Sequence, residues 1–98
     1  MNLSEAEENL VLVPEWALTD DATRIERRFK FRNFVEANGF VNQVGEIAEQ
    51  QGHHPDISFG WGYARIVFLT HTIKGLHQND FIMAAKVDEL LPSKDGGE

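Results

Sequence analysis

The chain has no cysteine and little positive charge. Its 98 residues include nine lysines and arginines against sixteen aspartates and glutamates, which gives a formal net charge of −7. Without cysteine there can be no disulfide framework, thiolate nucleophile or thiolate metal site. An acidic balance also disfavours binding to a phosphate backbone, because such binding needs lysine and arginine to displace counterions. We therefore expect no direct binding to nucleic acid.

Long apolar runs are also missing. The longest aliphatic or aromatic run is four residues, as at 66–69, whereas a transmembrane helix needs about 20. The first fifteen residues carry Glu5, Glu7 and Glu8 and no basic residue, so we expect no signal peptide. Apolar residues make up 42% of the chain, a globular composition. We expect one cytoplasmic domain over residues 1–92, a flexible tail over 93–98 and no membrane attachment.

Hydrophobic periodicity in the first third of the chain predicts a short helix and two strands. The helix begins near Ser4, which with Glu7 fits a capping box. Residues alternate in character over 16–19 and again, strictly, over 24–31. The second of these segments has one charged and one mainly apolar face, which is typical of an antiparallel strand with one solvated side.

The remaining chain predicts a helix, two strands and a last helix. Apolar residues recur every three or four positions over 34–51, and Gly52 is a natural stop. Strands follow over 57–61 and 63–72, and the last helix runs from about residue 78 to Pro92. The order predicts a two-layer α+β domain in which a four-stranded antiparallel sheet carries helices on one face.

The strand over 63–72 also bears on the assembly state. Both of its faces are apolar in the sequence, yet three short helices can cover only one side of the sheet. An open apolar face would be larger than monomers usually expose. We therefore expect a second subunit to cover it, in a homodimer or homotetramer.

Polar side chains collect where the predicted elements end. His53 and His54 follow the central helix, and Glu49 lies one turn before His53, within reach of it. His71 lies at the end of the last strand, and Asp80 lies at the start of the last helix. Each also has a purely structural explanation, such as a helix cap or a polar helix terminus. Only their combination favours a functional site.

That combination is a spacing pattern that runs through the second half of the chain. Its members are Glu49, His53, His54, Pro55, Trp61, His71 and Asp80. The pattern resembles the signature of the pterin-4a-carbinolamine dehydratases, and the similarity extends upstream to Trp16, to residues 29–34 and to Gly39 with Phe40. The resemblance covers roughly residues 3–91 and agrees with the predicted order of elements.

The resemblance implies dehydration of 4a-hydroxytetrahydropterin to quinonoid dihydropterin, the step that recycles the cofactor of aromatic amino acid hydroxylases. Histidine suits such proton transfer because imidazole has an ordinary pKa of about 6.5. We assign proton transfer to His53 and His71 and pterin binding to His54. The reaction requires no metal, nicotinamide or other cofactor, so we expect only a small-molecule pterin as ligand.

The other members of the pattern receive supporting roles. We expect Glu49 and Asp80 to orient the histidines, as carboxylates do in other acid–base sites. Pro55 would hold the turn that presents the histidine pair. We assign Trp16 to the wall of the pocket and Trp61 to the substrate-binding group.

Two alternatives remain open at this point. Three histidines and a carboxylate could hold Zn²⁺, although the adjacent His53 and His54 would point about 100° apart on a helix. The domain could also be a non-catalytic dimerisation or assembly factor. The resemblance includes that role, because an animal member of the family also serves as a dimerisation cofactor for a homeodomain transcription factor.

Overall fold

The predicted elements are present in the predicted order. A computed structural model describes residues 1–19, 21–73 and 75–91, so the predicted tail over 93–98 and Pro92 lie outside the described residues. The elements are α1 (Leu3–Leu10), β1 (Ala17–Thr19), β2 (Arg24–Lys30), α2 (Phe34–Gln51), β3 (Asp56–Gly60), β4 (Tyr63–Phe68) and α3 (Gln78–Asp88).

The four strands form one antiparallel sheet in the order β1-β2-β4-β3. The inner face of the two central strands is mainly buried, and its apolar side chains are Ile25, Phe29, Ala64, Ile66 and Phe68. Buried side chains of all three helices, among them Ala6, Val44 and Phe81, belong to the same core cluster. The structure thus confirms the two-layer α+β architecture with helices on one face.

Several predicted element ends are wrong; the last helix, for example, ends at Asp88 and not at Pro92. The last strand ends at Phe68 instead of continuing to residue 72, because Thr70 pairs with Gly75 and closes a turn over residues 71–73. The N-terminal capping box consists of Asn2 and Glu5 rather than Ser4 and Glu7. Asparagine caps as well as serine does, so the capping box lies two residues earlier than expected.

The outer face of the sheet is charged. We had expected an open apolar face. Val67 and Leu69, the apolar residues of this face, are 2% and 9% exposed within the single chain. Glu26 lies opposite Val67 in register and forms an ion pair with Arg65 at 2.5 Å. The reason we gave for a second subunit is therefore wrong, although self-association itself stays a prediction.

Candidate functional site

The end of α2 presents the two adjacent histidines. Gly52 caps the helix in the left-handed region, with φ 65° and ψ 29°, which glycine adopts without the steric cost that other residues have there. The backbone N–H of His53 still donates to Ala48 O at 3.1 Å. The chain therefore leaves the helix in one tight turn and directs His53 and His54 towards the end of β4.

Gly52→Ala should lower the free energy of unfolding by about 1 kcal/mol, because a Cβ disfavours the left-handed backbone. The cost is purely conformational, since an added Cβ would meet nothing within 4 Å. Gly39→Ala is the matched control: it also has open space around the added Cβ, but it lies inside α2, where alanine is favoured by up to about 1 kcal/mol. Urea unfolding should therefore show opposite signs for the two variants, and equal signs would contradict this account.

His53 is paired with Asp80 of α3. Its Nε2 lies 2.5 Å from Asp80 Oδ1, and Asp80 is fully buried. The carboxylate also accepts from Thr70 Oγ1 at 2.8 Å and from the backbone N–H of His77 at 2.9 Å, both on Oδ2. Phe68 of β4 stacks on the His53 ring, with centroids 6.0 Å apart and planes inclined by 18°. The imidazole is thus held through its plane and through one nitrogen.

His54 is paired with Glu49, which corrects our expectation that Glu49 would pair with His53. The Glu49 Oε2 atom lies 2.5 Å from His54 Nε2. Residues four positions apart are neighbours only within a helix. Gly52 ends α2, so His53 does not lie above Glu49 on the same helical face. The side chain of His54 is 60% exposed and that of Glu49 is 79% exposed. An exposed pair of this kind contributes about 0–1 kcal/mol to stability.

A cavity of about 270 Å³ brings the three histidines of the pattern together. Its lining residues are Gly52, His53, His54, Leu69, Thr70, His71 and Thr72. His71 lies in the turn after β4 and is exposed. The cavity is slightly below the range of about 300–1,000 Å³ for sites that enclose drug-sized ligands, so it suits a small ligand better than a large one.

The two carboxylates determine which ring nitrogens can accept a proton. An ionised carboxylate only accepts hydrogen bonds, so the Nε2 atoms of His53 and His54 carry a proton. In a neutral ring the lone pair then lies on Nδ1. Among the described residues, neither Nδ1 atom has a hydrogen-bond partner. The site can therefore accept protons or hydrogen bonds at these nitrogens.

The structure does not place the two tryptophans at this cavity. Trp16 is 2% exposed in the core, where its Nε1 donates to Asp88 Oδ1 at 2.9 Å. Trp61 is 73% exposed and lies in the turn between β3 and β4 rather than inside a strand. Pro55 directly precedes β3, and its role in presenting the histidine pair stays a prediction. Neither tryptophan is among the described residues that line the cavity.

The part of the chain that the structure describes contains neither a group of side chains that could hold a metal ion nor a helix that could cross a membrane. No three histidine, aspartate or glutamate side chains there are grouped closely enough to hold a metal ion. None of the helices formed by these residues has both the length and the apolar character that a bilayer crossing requires.

Sequence reasoning missed three residues that support the site: Phe68, Thr70 and His77. Phe68 and Thr70 are two residues apart at the end of β4, so their common face could have been read from strand alternation. His77 is the N-cap of α3, and its Nδ1 accepts from Asn79 N at 3.1 Å. Histidine is not among the favoured caps, so its spacing of three residues before Asp80 gave little signal.

Comparison with known proteins gives a consistent result. The sequence matches the family model of pterin 4 alpha carbinolamine dehydratase over residues 1–90. A protein of Methylococcus capsulatus, provisionally named pterin-4-alpha-carbinolamine dehydratase, is 60% identical over 90 residues, which are 92% of this chain and 79% of that protein. A protein of Halorhodospira halophila with the same provisional name is also 60% identical over 90 residues, which are 92% of this chain and 83% of that protein.

Two solved structures share the fold. The transcriptional coactivator/pterin dehydratase from Brucella melitensis has a TM-score of 0.87 and 30% identity, covering 94% of this chain and 98% of that chain. A pterin dehydratase-like protein identified as a RuBisCO assembly factor in the alpha-carboxysome has a TM-score of 0.69 and 26% identity, covering 82% of this chain and 93% of that one. Since the family model and these relatives span most of the chain, the protein belongs to the pterin 4 alpha carbinolamine dehydratase family.

Proposed function

We propose that this protein dehydrates 4a-hydroxytetrahydropterin to quinonoid dihydropterin and so recycles the pterin cofactor of aromatic amino acid hydroxylases. The observation that carries the proposal is the convergence of three histidines on one small cavity, two of them with Nε2 bound to a carboxylate. Family membership over residues 1–90 supports the choice of substrate.

The reaction needs one proton donor and one proton acceptor. A histidine protonates the hydroxyl on carbon 4a, the C–O bond breaks and water leaves. A second histidine takes the proton from the neighbouring ring nitrogen, whose electrons form the new double bond to carbon 4a. One proton is given and one is taken, so the balance is the loss of one water. A positioned acid or base contributes about 10²–10⁴-fold to the rate.

The surroundings of the histidines suggest which one does which. His53 suits the acceptor, because the buried Asp80 carboxylate stabilises the imidazolium that forms when its Nδ1 takes a proton. His71 suits the donor, because it is exposed and can regain its proton from water. His54 would hold the pterin through a hydrogen bond at Nδ1, with Glu49 orienting its ring.

A dehydratase assay on the purified protein tests the proposal. The substrate dehydrates spontaneously, so the measured quantity is the absorbance change of quinonoid dihydropterin formation relative to the protein-free rate. We expect clear acceleration that saturates with substrate. A rate equal to the protein-free control would refute the enzymatic function.

A non-catalytic assembly role is the second candidate. It is favoured by the structural similarity to the pterin dehydratase-like RuBisCO assembly factor. The same assay separates the two candidates, because an assembly factor does not need proton transfer at the histidine cavity. Acceleration that disappears when the histidines are replaced would support the dehydratase.

We also propose that the protein self-associates, on different grounds from the sheet face. Large apolar side chains are exposed on several elements, and among them are Leu3, Val11, Leu12, Phe34, Val35 and Ile82. Exposed apolar groups of this kind mark interaction surfaces when they are contiguous. Sedimentation velocity at micromolar concentration should show a species larger than 11.1 kDa, whereas a single species of that mass would contradict self-association.

A further inference from the structure

We propose that Thr70 is a positioning residue for His53, acting through the Asp80 carboxylate; this role deepens the proposed dehydratase function and rests on it. Thr70 Oγ1 donates to Asp80 Oδ2 at 2.8 Å, and the other oxygen of the same carboxylate faces His53 Nε2 at 2.5 Å. The hydroxyl therefore determines how the carboxylate meets the ring without touching the ring itself.

The backbone holds Thr70 in a defined place. Its N–H donates to Gly75 O at 2.8 Å, and its carbonyl accepts from Gly75 N at 3.4 Å and from Ile73 N at 3.2 Å. Thr70 follows Phe68 by two residues, so the two side chains lie on the same side of the extended chain. Phe68 stacks on the His53 ring directly, while Thr70 reaches it through Asp80. One segment thus supports His53 in two ways.

Asp80 needs this support because it is fully buried. A buried carboxylate is costly unless donors surround it, and Asp80 has three: the Thr70 hydroxyl, the His77 backbone N–H and His53 Nε2. Two of the three bind Oδ2 and so hold the carboxylate plane. Without the Thr70 hydroxyl, a single backbone donor would remain on Oδ2, and the carboxylate could rotate.

The orientation of the Asp80 carboxylate determines which ring nitrogen of His53 carries the proton. With Oδ1 held towards Nε2, the neutral ring carries its proton on Nε2 and its lone pair on Nδ1. A rotated carboxylate would allow the other tautomer, in which Nδ1 carries the proton and cannot accept one. Loss of the Thr70 hydroxyl should therefore mix the tautomers and lower kcat while changing KM little.

Three variants test this role. Thr70→Val keeps the shape of the side chain and removes the hydroxyl, Thr70→Ser keeps the hydroxyl and removes the methyl group, and Asp80→Asn removes the charge that selects the tautomer. We expect Thr70→Val to lower kcat roughly 10- to 100-fold, by analogy with the loss of a partner that orients a metal-binding histidine. Thr70→Ser should retain most of the native activity, because it keeps the hydroxyl. Should Thr70→Val fail to fold, Thr70→Ala carries the same test.

The second readout does not depend on activity. Ring nitrogen shifts from ¹⁵N NMR, assigned to His53 by comparison with His53→Gln, report which nitrogen carries the proton. The native protein and Thr70→Ser should show the Nε2-protonated ring, Thr70→Val a mixture, and Asp80→Asn mainly the Nδ1-protonated ring, because the amide NH₂ would donate to Nε2.

The outcomes are distinguishable. A native protein without dehydratase activity would refute the proposed function, and the nitrogen shifts would still decide the role of Thr70. If the native protein is active but Thr70→Val keeps both its kcat and its tautomer, the positioning role is wrong. If Thr70→Ser loses as much activity as Thr70→Val, the methyl group and not the hydroxyl matters, and the proposal is also overturned.

Discussion

Replacing His53 or His71 by alanine should lower kcat about 10²–10³-fold in each case, because each replacement removes a positioned proton-transfer group. Both side chains line the cavity. Replacing the exposed His71 should cost no more than about 1 kcal/mol in free energy of unfolding, whereas His53→Ala removes a donor from the buried Asp80 carboxylate and should cost about 1–3 kcal/mol. The double variant should lose less than the sum of the two logarithmic effects, because groups that act as one unit are not additive. Steady-state dehydratase kinetics and urea unfolding of all three variants measure these effects.

The remaining histidine outside the cavity provides the control, although not as an alanine variant. His77 caps α3 through Nδ1, so alanine there would cost about 1 kcal/mol of helix stability. His77→Asn removes the imidazole and keeps a favoured cap, and the backbone N–H that reaches Asp80 is unchanged. It should retain near-normal kcat. Full activity in His53→Ala together with loss in His77→Asn would show that the proton-transfer roles are misassigned.

Local sequence patterns predicted the fold well because the deciding signals lie within single elements. The three- and four-residue apolar spacing of α2 defined that helix, and Gly52 after it defined its end. The strand β2 was equally clear, because one face is charged and the other mainly apolar. Signals of this kind depend only on neighbours in the sequence.

Contacts between distant segments were harder to predict from the sequence. The pairing of His53 with Asp80 joins residues 27 positions apart, and sequence alone brought them together only through the family resemblance. Glu49 was matched to the wrong histidine, because the helical rule does not extend past the left-handed Gly52. The placement of Trp16 depended on Asp88, a partner 72 positions away. Such pairings follow from tertiary packing, which local periodicity does not encode.

Phe68 connects the core to the site, and its loss should have a large effect on stability. Its side chain is fully buried, packs against Trp16 with ring centroids 5.8 Å apart, and stacks on His53. Phe68→Ala leaves a cavity between these rings, and such replacements cost about 3–5 kcal/mol. A domain of this size has only about 5–15 kcal/mol in total, so Phe68→Ala should lose a large share of the stability of the fold.

A second phenylalanine provides the matched comparison. Phe34 also stacks on an aromatic ring, that of Phe59, with centroids 5.5 Å apart, but it is 48% exposed. Phe34→Ala should therefore cost less than about 1.5 kcal/mol, because about half of the Phe34 side chain stays exposed to water in the folded protein and its removal uncovers little apolar surface. Thermal unfolding followed by circular dichroism should separate the two variants by several degrees for each kcal/mol. Equal losses would mean that burial of Phe68 does not stabilise the fold as the structure implies.

Phe68→Leu separates the two roles of the ring. Leucine retains much of the apolar volume, so the stability cost should be well below that of alanine, while the flat surface against His53 is lost. If ring stacking holds His53 in its productive orientation, Phe68→Leu should lower kcat more than its modest loss of stability explains, measured at a temperature where the variant is fully folded. A folded Phe68→Leu protein with native kcat would show that Asp80 and Thr70 orient His53 without help from the core.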